Sequence, residues 1–406
     1  MIVHRAFKFR IYPTPEQAAR MDRWSDALRF LWNLAHEQRL MDLARPRGER
    51  RCLSAHDQGR ELTGLRADLP WLADVPRDVS KHLLGKLDDA WLGCFRKLNK
   101  RPRWKRKSEA LGLCAPGPDR WHLNGNVLHF PKIGPLRIVV HRPVVGKHRT
   151  CTIKRDGDQW FASLAYLDEV AAPTPRVEPV VAIDRGVLNI VADSDGRIVE
   201  SPRFLHQALR RLARAQRTVS RRKKGSKNQA KAKLRVMRLH RTVRRQREHF
   251  LHVLSHGYAK SHGTVVIEKL QIENMVKTSR GLARGIYDAG WGSFAQKLGY
   301  KLDQNGGTLV KVPAHYSSQT CSVCGVVDDA SRVVQAVFDC TSCGHHEHAD
   351  VNAAKILKSR ANRPAQPVEG SLKQGALRSR KRTARATRSG LPIRTSRSAT
   401  RMETFS

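Results

Sequence analysis

Acid is what this chain lacks most. Thirty-six Asp and Glu stand against 76 Lys and Arg in 406 residues, for a formal net charge of +40 and a pI near 10.9. An ordinary metabolic enzyme has no use for such a surplus, whereas a polyanion whose phosphates release counterions on being neutralised accounts for it directly. An anionic membrane surface would attract the chain too, but no apolar run approaches the roughly 18 residues of a spanning helix. The N-terminal MIVHRAFKFRIYPTP has no signal-peptide core, so a cytoplasmic location is expected. No Gly-x-x-x-x-Gly-Lys loop supports ATP hydrolysis, no Ser–His or Cys–His arrangement suggests nucleophilic catalysis, and there is no internal repeat. Four of the eight cysteines, Cys52, Cys94, Cys114 and Cys151, are scattered without pattern, which suits a reducing compartment and buried or incidental thiols.

Length alone suggests two or three domains. Val3–Tyr12 alternates basic with apolar residues and predicts a strand with one cationic face, ended by Pro13-Thr14-Pro15. From Glu16 to about Asn99 the apolar spacing turns helical, through Trp24, Leu28, Leu31, Trp32 and Ala35 and again through Leu83, Leu84, Leu87, Trp91 and Phe95, predicting the core of a small bundle. Residues 97–107, KLNKRPRWKRK, gather seven cations around one tryptophan, a composition suited to phosphates and stacked bases. Short β-type runs between 123 and 167 predict a small barrel, and Ala171–Pro179 reads as a domain junction.

Beyond the junction, VVAID (180–184), LNIVA (188–192) and RIVE (197–200) form a predicted meander. Residues 201–262 follow with 19 Lys and Arg and the single acid Glu248, a density that repels itself along a helix and favours polyanion contact. A hairpin tip is expected at Gly225-Ser226, with Leu234, Met237, Phe250, Leu251 and Leu254 packed. TVVIE (264–268), a helix over 291–304 and LVKVP (309–313) complete the pattern. From Ser359 the chain is Arg-, Ser-, Thr- and Ala-rich, and disorder is expected.

Two constellations carry chemistry. Cys321-x-x-Cys324 and Cys340-x-x-Cys343, with 15 residues between the pairs, have the spacing of a four-cysteine zinc ribbon, a closed shell that folds the chain and leaves no open position for substrate. His345, His346 and His348 lie near enough to substitute as ligands, but the complete cysteine set leaves them to the surface or to nucleic acid. Asp184 and Glu268 each end an apolar run, and Asp350 precedes VNAAKIL. Two acids at strand ends and one at a helix start are the means by which an RNase H-like nuclease gathers oxygen ligands for hard divalent ions.

Several ordered blocks, FKFRIYPTPEQ (7–17), LRFLWN (28–33), FPKIGPLRIVVHRP (130–143), RRKKGSKNQAKAK (221–233), VIEKL (266–270), YSSQTCSVCG (316–325) and DVNAAK (350–355), make the chain resemble the TnpB family, transposon-encoded RNA-guided DNA nucleases related to the type V CRISPR effectors. The resemblance extends to about residue 358. It implies a multidomain α/β protein: a wedge β-barrel split between 1–14 and 115–178, a helical recognition domain at 15–114, an RNase H-like (RuvC) nuclease domain at 179–320 and 347–358, a zinc ribbon at 321–346 and a basic disordered tail at 359–406. Asp184, Glu268 and Asp350 match the family's metal-binding acids, for two Mg²⁺ with Mn²⁺ as a substitute, and Cys321, Cys324, Cys340 and Cys343 match its Zn²⁺ ligands. The implied partners are a guide RNA from the transposon end and double-stranded DNA, cut beside a short motif by one RuvC site. Two positions depart from the pattern. Arg185 follows the first acid where an apolar residue is usual, and would compete with metal or stabilise the ionised acid. His348-Ala349 stand where Asp-Arg often precede the last acid. The remaining alternatives are a nuclease-silent RNA-guided regulator and a DNA transposase.

Overall fold

The computed structural model describes residues 1–278 and 280–361; the expected disordered tail lies outside these, except that Ser359–Ala361 form the last turn of a helix. Strand β1 (Ile2–Tyr12) buries Phe9 and Ile11 on one face and carries Lys8 and Arg10 on the other. The helices α1 (Pro15–Ala44), α2 (Ala55–Asp68), α3 (Pro70–Ala73) and α4 (Arg77–Phe95) follow. Thr14 starts α1 with a capping box, its hydroxyl accepting the Gln17 N–H while the Gln17 side chain accepts its own.

Strands β2 (Leu113–Pro116), β3 (His122–Asn124), β4 (Val127–Phe130), β5 (Gly134–Val139), β6 (Lys147–Asp156) and β7 (Gln159–Glu169) join β1 in an antiparallel sheet ordered β2-β6-β7-β1-β5-β4-β3. The expected small barrel is thus a seven-stranded sheet with β2 and β3 as its ends. At 11 residues, β1 is long enough to pair with β7 over most of its length and with β5 at its tip. One hydrophobic core fills the space between this sheet and α1–α4, including Trp24, Leu28, Leu31, Trp32 and Ala35 as the helical spacing predicts. Phe95, read as part of the same stripe, is 59% exposed.

The second half is built on β8 (Val180–Asp184), β9 (Asn189–Asp193), β10 (Ile198–Glu200), the helices α5 (Phe204–Ser220) and α6 (Lys227–Ser261), then β11 (Thr264–Glu268), α7 (Ile272–Thr278), α8 (Arg280–Ala289), α9 (Trp291–Gln304) and β12 (Thr308–Val312). Its five-stranded sheet runs β10-β9-β8-β11-β12. The β8–β11 and β11–β12 pairs are parallel and the β8–β9 and β9–β10 pairs antiparallel. The helices α6 and α9 cover one face through Leu251, Tyr258, Phe294 and Leu298. A last short hairpin, β13 (Val337–Asp339) with β14 (His346–His348), leads into α10 (Ala349–Ala361), whose Leu357 packs on Ala182 and Val266 on the other face.

Two expectations about α5 and α6 need correction. Met237 is 49% exposed rather than packed, because the buried positions of α6 begin only at Arg241. The helix cations are also not uniformly uncompensated: Arg238 and Arg241 pair with Asp158 at 2.8 Å, and Arg244 with Asp156, so acids in the β6–β7 turn supply what the helices lack. The tip cations Arg221, Arg222, Lys223 and Lys224 remain exposed.

Candidate functional site

Side-chain alternation along two adjacent parallel strands brings the carboxylates together. Val181 and Ile183 of β8 face α6 and α9, so Ala182, and two residues on Asp184, face α10; β11, in register with β8 at Ile183–Ile267, repeats the pattern through Val266 to Glu268. The N-terminal turn of α10 carries Asp350 to the same edge, and the three acids line one cavity of about 270 Å³. Gly186 makes the turn after Asp184 feasible, since a Cβ there would stand 2.6 Å from the Asn189 carbonyl oxygen.

Burial, then the facing Glu268 carboxylate and Asp350, push the Asp184 carboxyl well above its ordinary range. Carboxylates so crowded call for a cation, and oxygen-only donors suit a hard divalent ion. They are more open than the ribbon, however: among the described residues only the four cysteines form a set with ligand atoms all within 4.8 Å of one another.

Burial lowers the basicity of the Arg185 guanidinium, and the Glu268 and Asp184 carboxylates oppose this by charge, so the cation favours the ionised acids, one of the two roles foreseen for it. It also donates to the Glu268 main-chain oxygen at 2.5 Å and the Trp291 oxygen at 3.5 Å, while the Trp291 indole donates to the Gly186 oxygen at 3.0 Å. It ties the ends of β8, β11 and α9.

Asp350 is held by groups that spacing could not reveal. Asn189 donates to its Oδ2 at 3.1 Å, and Arg332, from the loop between the cysteine pairs, reaches its Oδ1 at 3.4 Å. Arg332 also lowers the Asp184 carboxyl by charge. A guanidinium thus reaches Asp350 although no arginine directly precedes it in sequence. His348 accepts the Asp350 N–H on Nδ1 at 3.2 Å; of the three histidines, only His346 is exposed, and His345 and His348 are half-buried.

The ribbon fits zinc. Sγ atoms of Cys321 and Cys343 are 3.7 Å apart and those of Cys324 and Cys340 3.6 Å, against the roughly 3.8 Å that a tetrahedron with ~2.3 Å Zn–S bonds requires. Each Cys-x-x-Cys closes in the same way, with Gly325 and Gly344 at positive φ donating to the first cysteine's carbonyl at 3.0 Å. Fully buried Asn352 joins ribbon to helix, accepting the Ser322 N–H and donating to the Thr320 oxygen, both at 2.8 Å.

A multidomain α/β chain with a four-cysteine cluster directly ahead of a carboxylate-lined cavity defines a narrow class, and comparison with known proteins agrees. Residues 163–279 match a family model described as "Probable transposase", residues 291–357 a "Cas12f1-like, TNB domain" and residues 1–41 a "Helix-turn-helix domain", although 1–41 form a strand and part of one long helix. A relative from Escherichia coli (strain K12), "Putative RNA-guided DNA endonuclease InsQ", is 30% identical, over 87% of this chain and 91% of its own length. Another from Streptomyces pristinaespiralis, "Putative RNA-guided DNA endonuclease", is 35% identical, over 87% and 89%. Among solved structures, the protein in a Cas12f1–sgRNA–target DNA complex shares the fold with a TM-score of 0.52 at 14% identity, covering 88% of this chain and 98% of that one. The chain belongs to the TnpB family. Among the described residues, no helix is long and apolar enough to cross a membrane.

Proposed function

We propose that the protein is an RNA-guided, Mg²⁺-dependent DNA endonuclease that uses a guide from its transposon end and cuts beside a short motif at a single RuvC site. The five-stranded order β10-β9-β8-β11-β12, in which β9 alone runs opposite to the other four strands, supports an RNase H-like sheet. It supports a nuclease domain at 179–320 and 347–358 around the ribbon at 321–346. The seven-stranded sheet serves as the wedge, 1–14 with 115–178, β2 beginning two residues earlier at Leu113, and α1–α4 as the recognition domain within 15–114. The relatives' names support guide RNA and DNA as partners.

One observation carries the reading: Asp184, Glu268 and Asp350 meet on the same edge of the sheet in one cavity. These three would hold Mg²⁺, which when bound activates water and offsets charge on the scissile phosphate. Asn189 and Arg332 fix the Asp350 carboxylate, and Arg332, itself part-exposed in the cavity wall, offers its remaining N–H groups to a phosphate oxygen. Arg185 keeps the strand ends level. In the test, Asp184→Ala and Asp350→Ala proteins are given guide RNA, target duplex and Mg²⁺. Retained target binding with loss of cleavage supports the site, cleavage by either variant removes it, and strand joining that survives RNase treatment replaces the guided reading with a transposase.

A further inference from the structure

Between β1 and the helices α6 and α9 lies a cavity of about 760 Å³ whose walls hold five of the chain's 18 histidines and, among the described residues, no acid. His249, His252 and His256 recur along α6 at helical spacing, so one face presents all three, and each is exposed. His4 of β1 and His141, just past β5, are exposed too and join them from the seven-stranded sheet. Arg5, Lys8, Arg142 and Lys301 share the walls. The acids that face them from neighbouring elements are engaged. Asp168 of β7 pairs with Arg5 at 3.3 Å, Glu248 of α6 with Lys297 of α9 at 2.6 Å, and Asp156, which acts on Lys8, with Arg244.

Cations contributed by β1, the end of β5, α6 and α9 suit a row of phosphates better than a single one. The lysines and arginines attract such a chain at any pH near neutrality, whereas the histidines add to the attraction only when protonated. Burial, then the charges of Lys297 and Lys301 and, more weakly, Arg142, hold the His252 imidazole below its ordinary range against the pull of Glu248. The Tyr300 hydroxyl meets its Nδ1 at 3.5 Å, and Lys301 donates to its main-chain oxygen at 2.5 Å. A phosphate oxygen beside the ring favours the imidazolium. Binding then draws in protons, and by linkage affinity rises as pH falls.

We propose that this cavity grips the phosphate backbone of a nucleic-acid strand through protonated histidines, so that binding takes up protons and tightens between about pH 8 and pH 6. The inference rests on the reading of the protein as a nucleic-acid enzyme, but it uses none of the residues of the carboxylate cavity, and neither metal nor cleavage enters its test.

The full chain, without added divalent metal, is titrated with short oligouridylate and oligothymidylate, whose bases take no proton in this range. Affinity is read by fluorescence anisotropy over a salt series at both pH values, and proton uptake by calorimetry in two buffers of different ionisation enthalpy. The parent should bind about tenfold tighter at the lower pH and take up protons on binding, with a log–log salt slope steeper by about one for each histidine charged. Preference for one oligonucleotide identifies RNA or DNA as the source of the phosphates. Gln at positions 249, 252 and 256 together should flatten the pH dependence and reduce the uptake. Lys at the same three positions should bind at about pH 8 as tightly as the parent does at about pH 6, a gain that misfolding does not produce. Titration in the carboxylate cavity is common to all three proteins and cancels in the comparison. Equal parent affinity at both pH values with no proton uptake, or a pH dependence unchanged in both variants, overturns the inference and leaves nucleic-acid binding standing. No binding at either pH overturns both.

Discussion

Arg332 shows what a single residue can supply from a distance in sequence. It approaches Asp350 from the loop between the cysteine pairs, and no spacing rule would have selected it, because its position depends on the ribbon folding back on α10. The same is true of Asn189, which reads as an unremarkable strand residue. By contrast, Asp184, Glu268 and Asp350 were legible as candidates: each stands where an apolar run ends or begins, and the two-residue period of a strand puts the first two on one face, while the start of α10 carries the third. Arg332→Ala and Asn189→Ala should each lower cleavage about 10–100-fold while guide and target binding persist. Arg332→Lys should recover only part of the loss, since lysine lacks the guanidinium fork. Steady-state cleavage beside a binding assay checks this, and equal loss of both would mean a folding defect.

At the level of elements, boundaries followed sequence punctuation and coverage did not. The helix expected at 291–304 and the strand expected at 264–268 occur at those residues; Gly290 and Gly306-Gly307 flank the helix, and Gly263 precedes the strand. Phe95 and Met237 were misjudged because periodicity reports which face a residue occupies, without reporting whether another element covers it. The joint between ribbon and α10 was equally hidden, since Asn352 sits in a short motif whose acid draws the attention. Replacing Asn352 by Ala strands a buried N–H and a buried carbonyl, at about 1–3 kcal/mol each. It should lower the thermal midpoint and weaken zinc retention against a chelator. Cys340→Ser should go further, with zinc content and soluble yield both falling; full activity without zinc would refute a structural ribbon.

For the whole molecule, charge was the loudest signal in the sequence and only half of its meaning. The surplus was visible, but not that acids some 80 residues away in the β6–β7 turn hold α6 against the seven-stranded sheet. Arg241 and then Arg238 pull the Asp158 carboxyl down to about 2. A depressed carboxyl stabilises the fold fully above its unfolded value near 3.9 and loses that contribution as pH falls through about 2. Asp158→Asn should therefore cost about 1 kcal/mol at neutral pH, allowing for solvent screening. Its deficit in thermal midpoint against the parent should narrow as the pH is lowered from about 5 toward 3. A gap that stays constant over that range would mean the pair contributes nothing through its charge.

The proposed activity needs one carboxylate cavity, on one sheet, directed by RNA to DNA. Its most direct test is cleavage of a supercoiled plasmid by the purified protein with copurified guide RNA and Mg²⁺, repeated after the guide segment is rewritten to match a different site. The cut should move with the guide, and Asp184→Ala should bind both targets and cut neither. A cut that ignores the guide, or that persists in Asp184→Ala, would contradict it.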